Sequence, residues 1–139
     1  MSPVVVDASV AVKWVLREEH EAPARRLLSG SRLLAPHLLW AEVGNTLWKR
    51  YRRREASVAE IRSMLADVRS LPVTTFAHRP LLPAALNLAL SMDQTVHDCL
   101  YLALAEAGDS VMVTADRRFC DAVTASVWAD RMVWIEDVA

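Results

Sequence analysis

The sequence predicts an α/β fold with a mainly parallel central sheet flanked by helices. Two observations carry this: short β-branched or apolar runs of strand length recur along the chain, and helical stretches alternate with them throughout. Parallel strands need crossovers, and the helices supply them. At 139 residues with 53% apolar side chains, the chain suits one domain, residues 1–139, able to bury about two thirds of its unfolded surface.

Val4 to Val6 is a continuous β-branched run, the mark of a strand covered on both faces, and Ala8 to Leu16 follows as a short helix. Glu21 to Leu28 reads as a helix ending near Gly30, before a strand at Leu33 to Ala35 that Pro36 stops. A long helix starts near His37 with Leu38, Leu39, Val43 and Leu47 at helical spacing, and it ends in the basic run Lys49 to Arg54. Ser57 with Glu60 three residues later is a capping box, and Ile61, Met64, Leu65 and Val68 form a buried stripe behind it. Val73 to Phe76 is the third strand. Leu81 to Leu90 and Val96 to Ala107 are helices, the second closed by Gly108 as a C-terminal cap. Val111 to Thr114 is the fourth strand, Arg117 to Thr124 a short helix, and Val133 to Ile135 a terminal strand.

Sixteen basic residues oppose seventeen acidic ones, for a net charge of −1, so only the distribution of charge can indicate a partner. Cys99 and Cys120 lack metal or disulfide spacing and read as buried fillers in a reducing cytosol. No apolar run is long enough to span a membrane, and the start has no signal pattern, so a cytoplasmic protein is expected. There is no glycine-rich nucleotide loop.

Four carboxylates stand out. Asp7 closes the first strand, Asp116 follows the fourth, and Glu42 and Asp98 lie on strongly apolar helical stretches with no base at a matching position. Ligands of parallel sheets bind beyond the carboxyl ends of the strands, where Asp7 and Asp116 fall. An acid on a buried face is costly unless it is paired or holds a cation. Together the four read as an oxygen-only site for Mg2+ or Mn2+, suited to phosphodiester hydrolysis. Each also has a plainer reading: Asp7 and Asp116 as N-caps, Asp98 as the partner of Thr95 in a capping box, Glu42 as an exposed helix residue.

The segments Val-Val-Asp7-Ala-Ser9, Trp-Ala-Glu42-Val-Gly-Asn45-Thr-Leu, His-Asp98-Cys-Leu-Tyr101-Leu-Ala-Leu-Ala and Val-Thr114-Ala-Asp116-Arg-Arg-Phe119 resemble the PIN domain. Within that family, the nearest likeness is to the toxin ribonucleases of VapBC-type toxin–antitoxin pairs. The resemblance covers almost the whole chain and implies a parallel sheet between helices and a metal-dependent endoribonuclease. It also implies a homodimer and inhibition by a VapB-like antitoxin. It makes Asp7, Glu42, Asp98 and Asp116 the catalytic and metal-binding acids, and sets Ser9 and Thr114 beside the metal site. Asn45, three residues from Glu42, shares its helix face and could orient that carboxylate. The chain departs from the family pattern at His97, where such toxins often carry Tyr, and at Asp93, where Gly commonly ends the preceding helix.

Lys49, Arg50, Arg52 and Arg53, interleaved with Trp48 and Tyr51, could follow an RNA backbone, or simply complement the helix dipole. Arg117 and Arg118, beside Asp116, are expected to meet a scissile phosphate. Trp14, Trp40, Trp48, Trp128 and Trp134 are expected in the core or a subunit interface. Two rivals remain: an aspartyl phosphotransferase built on Asp7, which lacks the usual second Asp two residues on, and an RNA- or protein-binding module without catalysis.

Overall fold

A computed structural model describes residues 2–16 and 19–139. Five strands form one sheet: β1 (Pro3–Val6), β2 (Arg32–Pro36), β3 (Val73–Phe76), β4 (Val111–Thr114) and β5 (Met132–Trp134). Their order is β3-β2-β1-β4-β5 and every neighbouring pair is parallel. The helices are α1 (Ala8–Ala11), α2 (Glu21–Gly30), α3 (Leu38–Arg52), α4 (Val58–Arg69), α5 (Leu82–Met92), α6 (Val96–Ala107) and α7 (Arg117–Thr124). No described helix is long and apolar enough to cross a membrane.

The strand order reverses at β1. From β1 the sheet grows outward through β2 and β3, then returns to place β4 on the other side of β1, so a crevice opens between the carboxyl ends of β1 and β4. Both faces of β1 are buried, which explains its unbroken valine run. Val5 joins the core formed with Leu39, Val43 and Leu47 of α3 and nearly all of α6, whereas Val4 and Val6 face Ala24 and Leu27 of α2, and Ile135. Asp7, two residues beyond Val5, continues the face that looks toward α3 and α6. Cys99 and Cys120 are buried and unpaired.

The helix ends are held by recognisable local chemistry. Ser57 and Glu60 complete the capping box of α4. α3 ends in a Schellman pair, Glu55 N–H to Arg50 O and Arg54 N–H to Tyr51 O, with Arg54 in the left-handed region at φ 59°. Asp93 takes the corresponding left-handed position after α5.

Several elements differ from expectation. The Ala8 to Leu16 helix is one α turn followed by a 3-10 turn, Val12–Trp14. Gly108 caps α6 with φ −95°, while the left-handed residue is Asp109: its N–H and that of Ser110 close the last turn on Glu106 and Ala105. The last strand begins one residue early, and Ile135 instead opens a 3-10 turn. α4 packs outside α3, burying Val68 and partly Ile61 and Met64 and leaving Leu65 38% exposed. Trp48 is 49% exposed rather than in the core. The other four tryptophans pack partly buried against it.

Candidate active site

Sheet register builds the first part of the site. Val6 pairs with Val113, so the next residues, Asp7 and Thr114, meet at the crevice. The Thr114 hydroxyl donates to Asp7 Oδ2 at 2.5 Å and Ser9 Oγ donates to Asp7 Oδ1 at 2.5 Å. Val10 N–H reaches Oδ1 at 3.2 Å, making Asp7 the N-cap of α1 as well. The two hydroxyls are themselves fixed: Ala115 N–H donates to Ser9 Oγ at 2.9 Å and Asp116 N–H to Thr114 Oγ1 at 3.0 Å. This lattice ties the loop after β4 to the loop after β1.

Burial raises the Asp7 carboxyl to about 6, against the lowering effect of the Ser9, Thr114 and Val10 hydrogen bonds, and the nearby negative charge of Asp98 adds to the rise. The expectation of no base beside the acids fails at Lys13, buried just after α1, whose ammonium is lowered by burial and sits in the field of Asp7; the Asp7 carboxyl is raised all the same. Asp98 is pushed upward too, first by burial and then by the field of Asp116, while hydrogen bonding to Thr95 and the charge of His97 work the other way. The plainer reading of Asp98 is half met, because its N–H caps on Thr95 Oγ1 at 3.2 Å while its carboxylate lines the crevice beside Asp116. Asp116 is an N-cap for α7 through Phe119 N–H at 3.2 Å on Oδ1. Its cap role uses that oxygen alone.

Glu42 approaches from α3. Tyr101, 1% exposed on α6, donates its hydroxyl to Glu42 Oε1 at 2.5 Å. Burial and then Glu42, Asp7 and Asp98 hold the phenol firmly in its protonated, donating form. Tyr101 has no role in the sequence reading, although its i+3 spacing from Asp98 puts both on one helix face. Asn45 makes no hydrogen bond to Glu42; it lines the open space beside it.

Two cavities take in the other acids, Asp98 with Asp116 in one and Glu42 in the other. One, about 340 Å³, is bounded by Asp98, Asp116, Arg118, Phe119 and Asp93 to Thr95. The other, about 290 Å³, is bounded by Glu42, Asn45, Thr46, Lys49, His97 and the apolar Ala8, Leu38 and Ala41. Arg118 therefore faces the acids. Arg117 does not: its guanidinium stacks 4.7 Å from the Trp134 ring and pairs with Asp121 at 3.2 Å. At the end of α3, Arg52 lies 5.1 Å over Trp48 and Arg50 pairs with Glu55 at 3.2 Å. Lys49 alone of the basic run lines the Glu42 cavity; Arg53 is exposed.

Among the described residues, no three His, Cys, Asp or Glu side chains stand close enough to form a ligand cage by themselves. The donor chemistry is nevertheless that of a hard cation. All the donors are carboxylate oxygens, burial disfavours the charged form of Asp7, and Mg2+ is commonly held by one or two carboxylates together with waters and substrate phosphates.

The PIN-domain family model matches residues 4–124. The chain belongs to the PIN-domain family. It is similar to VapC ribonuclease Mb0985 of Mycobacterium bovis, with 33% identity over 85% of this chain and 89% of that protein. Among solved structures, PAE2754 from Pyrobaculum aerophilum superposes with a TM-score of 0.70 at 25% identity, over 97% of this chain and 90% of the other. VapBC2 from Rickettsia felis, solved bound to a DNA fragment from its promoter, gives a TM-score of 0.60 over 95% of this chain and 96% of that one. At 10% identity that likeness speaks to the PIN fold alone.

Proposed function

We propose that this PIN domain is a Mg2+- or Mn2+-dependent endoribonuclease, the toxin of a type II toxin–antitoxin pair, acting in the cytoplasm as a homodimer and restrained by a VapB-like antitoxin. The observation that carries the reading is the placement of four carboxylates at one end of the sheet: Asp7 directly after β1, Asp116 just after β4, Asp98 coupled by charge to both, and Glu42 reaching from α3 to Tyr101. The ribonuclease name of its Mycobacterium bovis relative, over most of both chains, supports it.

Asp7, Asp98 and Asp116 would hold the cation, with Glu42 ligating through water or orienting the nucleophile. When bound, such an ion lowers the pKa of water and offsets charge growing on a phosphoryl oxygen. The protein's own residues supply position. Ser9, Thr114 and the Val10 N–H fix both oxygens of Asp7. Tyr101 holds Glu42 Oε1, leaving Oε2 to accept a proton from an attacking water. Arg118 bounds the cavity shared by Asp98 and Asp116, where a phosphate would enter. A purely RNA-binding surface has no use for clustered acids, and an aspartyl phosphotransferase would need a nucleophile that Ser9 and Thr114 do not blunt by hydrogen bonding.

Expression of the wild-type chain without a partner should arrest bacterial growth and yield discrete RNA fragments, and Asp7→Asn should do neither. Growth arrest by Asp7→Asn with the same fragments would exclude the proposed chemistry.

A further inference from the structure

We infer that the cavity beside Glu42 is a nucleobase subsite that reads a purine, guanine in preference, next to the cut. The inference rests on the ribonuclease reading and deepens it. Asn45 and Lys49, three and seven residues after Glu42 on α3, project to the same side of that helix. His97 of α6 closes the opposite wall. None of these three side chains makes a hydrogen bond or ion pair with another side chain or with the backbone among the described residues. They line a cavity of about 290 Å³ whose remaining walls include Ala8, Leu38 and Ala41. Unengaged polar edges around small apolar walls suit a planar base, with its face against the alanines and its edge toward the polar groups.

Charge decides against a phosphate here. The single Lys49 ammonium shares the cavity with the Glu42 carboxylate, which would repel a phosphate, whereas a neutral base carries both donors and acceptors. Lys49 and the Asn45 amide offer N–H donors suited to the O6 and N7 acceptors of guanine. The second cavity is dominated by charge, from Asp98, Asp116 and Arg118, and its one amide, Gln94, donates to Met92 O at 3.5 Å. His97 contributes to the base pocket and Asp98 to the acidic one, because successive residues of a helix point about 100° apart.

The test is cleavage of an RNA pool with a randomised unpaired centre, followed by sequencing of the fragment ends. Wild type should favour guanine over pyrimidines at one position beside the cut by about tenfold, and Asn45→Ala or Lys49→Ala should bring that ratio below about twofold. Two results would overturn the subsite: a wild type with no base preference beside the cut, or variants that slow cutting of every sequence in equal proportion. The second is what mere support of Glu42 would give. If wild type cuts nothing, the ribonuclease reading fails on its own. The pocket is then decided by titrating guanosine and cytidine 5′-monophosphates: tighter guanosine binding, abolished by Asn45→Ala, sustains it, and equal binding refutes it.

Discussion

Replacing Asp7 by Asn should stabilise the metal-free protein while removing its activity. The Asp7 carboxyl is raised from 3.8 to about 6, which at neutral pH corresponds to roughly 3 kcal/mol of unfavourable charge burial. Asn removes the charge at nearly constant volume and keeps one acceptor. Its amide must face Ser9 Oγ or Thr114 Oγ1, each of which already accepts one backbone N–H, so about 1 kcal/mol of the gain is lost to weaker hydrogen bonding. The remaining ~2 kcal/mol should raise the melting temperature by roughly 5–10 °C at about pH 7.5 in EDTA. The sign of the pH dependence follows from proton binding. Between the unfolded and folded values the native state holds more protons than the unfolded one, so wild-type stability rises as pH falls through 6 toward 3.8. The advantage of Asp7→Asn should therefore shrink by about 2 kcal/mol at about pH 4.5. Millimolar Mn2+ should reverse the order, because only wild type gains by mass action. An Asp7→Asn protein no more stable than wild type in EDTA at neutral pH, or a gap that ignores pH, would refute the claim that burial of the Asp7 carboxylate outweighs the favourable interactions around it.

Tyr101→Phe removes the hydroxyl that fixes Glu42 Oε1 and should lower kcat by about tenfold or more with little change in KM; a change in KM alone, by steady-state kinetics on an RNA oligonucleotide, would contradict a positioning role. Arg52→Ala with Arg53→Ala should weaken RNA binding and flatten its salt dependence by up to about two charges' worth of slope, whereas an unchanged slope would assign these residues to solvent or to another protein. Arg54 occupies the left-handed position that ends α3, so Arg54→Gly should raise stability by about 1 kcal/mol, and a thermal melt showing a loss would contradict the backbone account.

The parallel α/β order was legible because β1, β2 and β4 carry apolar runs and each helix between strands keeps its spacing. The acids were legible for a related reason: a carboxylate on an apolar face or at the end of a buried strand leaves few physical alternatives. What the chain order could not convey was aim. Leu65 has the spacing of a core residue, yet α4 lies outside α3 and turns it to solvent. Arg117 and Arg118 are equivalent as letters, but the step of about 100° between successive residues of α7 sends the first over Trp134 and the second to the acids. Asn45 shares the Glu42 face, but Tyr101, from a helix 59 residues away, holds the carboxylate. The N-cap readings of Asp7 and Asp116 hold, and a cap of this kind is compatible with the proposed site. Each acid uses one oxygen for its helix end, which is how the sheet edge keeps carboxylates fixed in place.

The most direct test of the central claim is cleavage of one RNA by the purified chain in Mn2+, in EDTA, and as Asp116→Asn in Mn2+. Asp116 is exposed and its cap needs a single acceptor that Asn retains, so the variant should fold and lose only the charge. The four-acid account requires rapid cutting in the first case and a fall of about a hundredfold or more in the other two. Wild-type rates from Asp116→Asn, or undiminished cutting in EDTA, would contradict it.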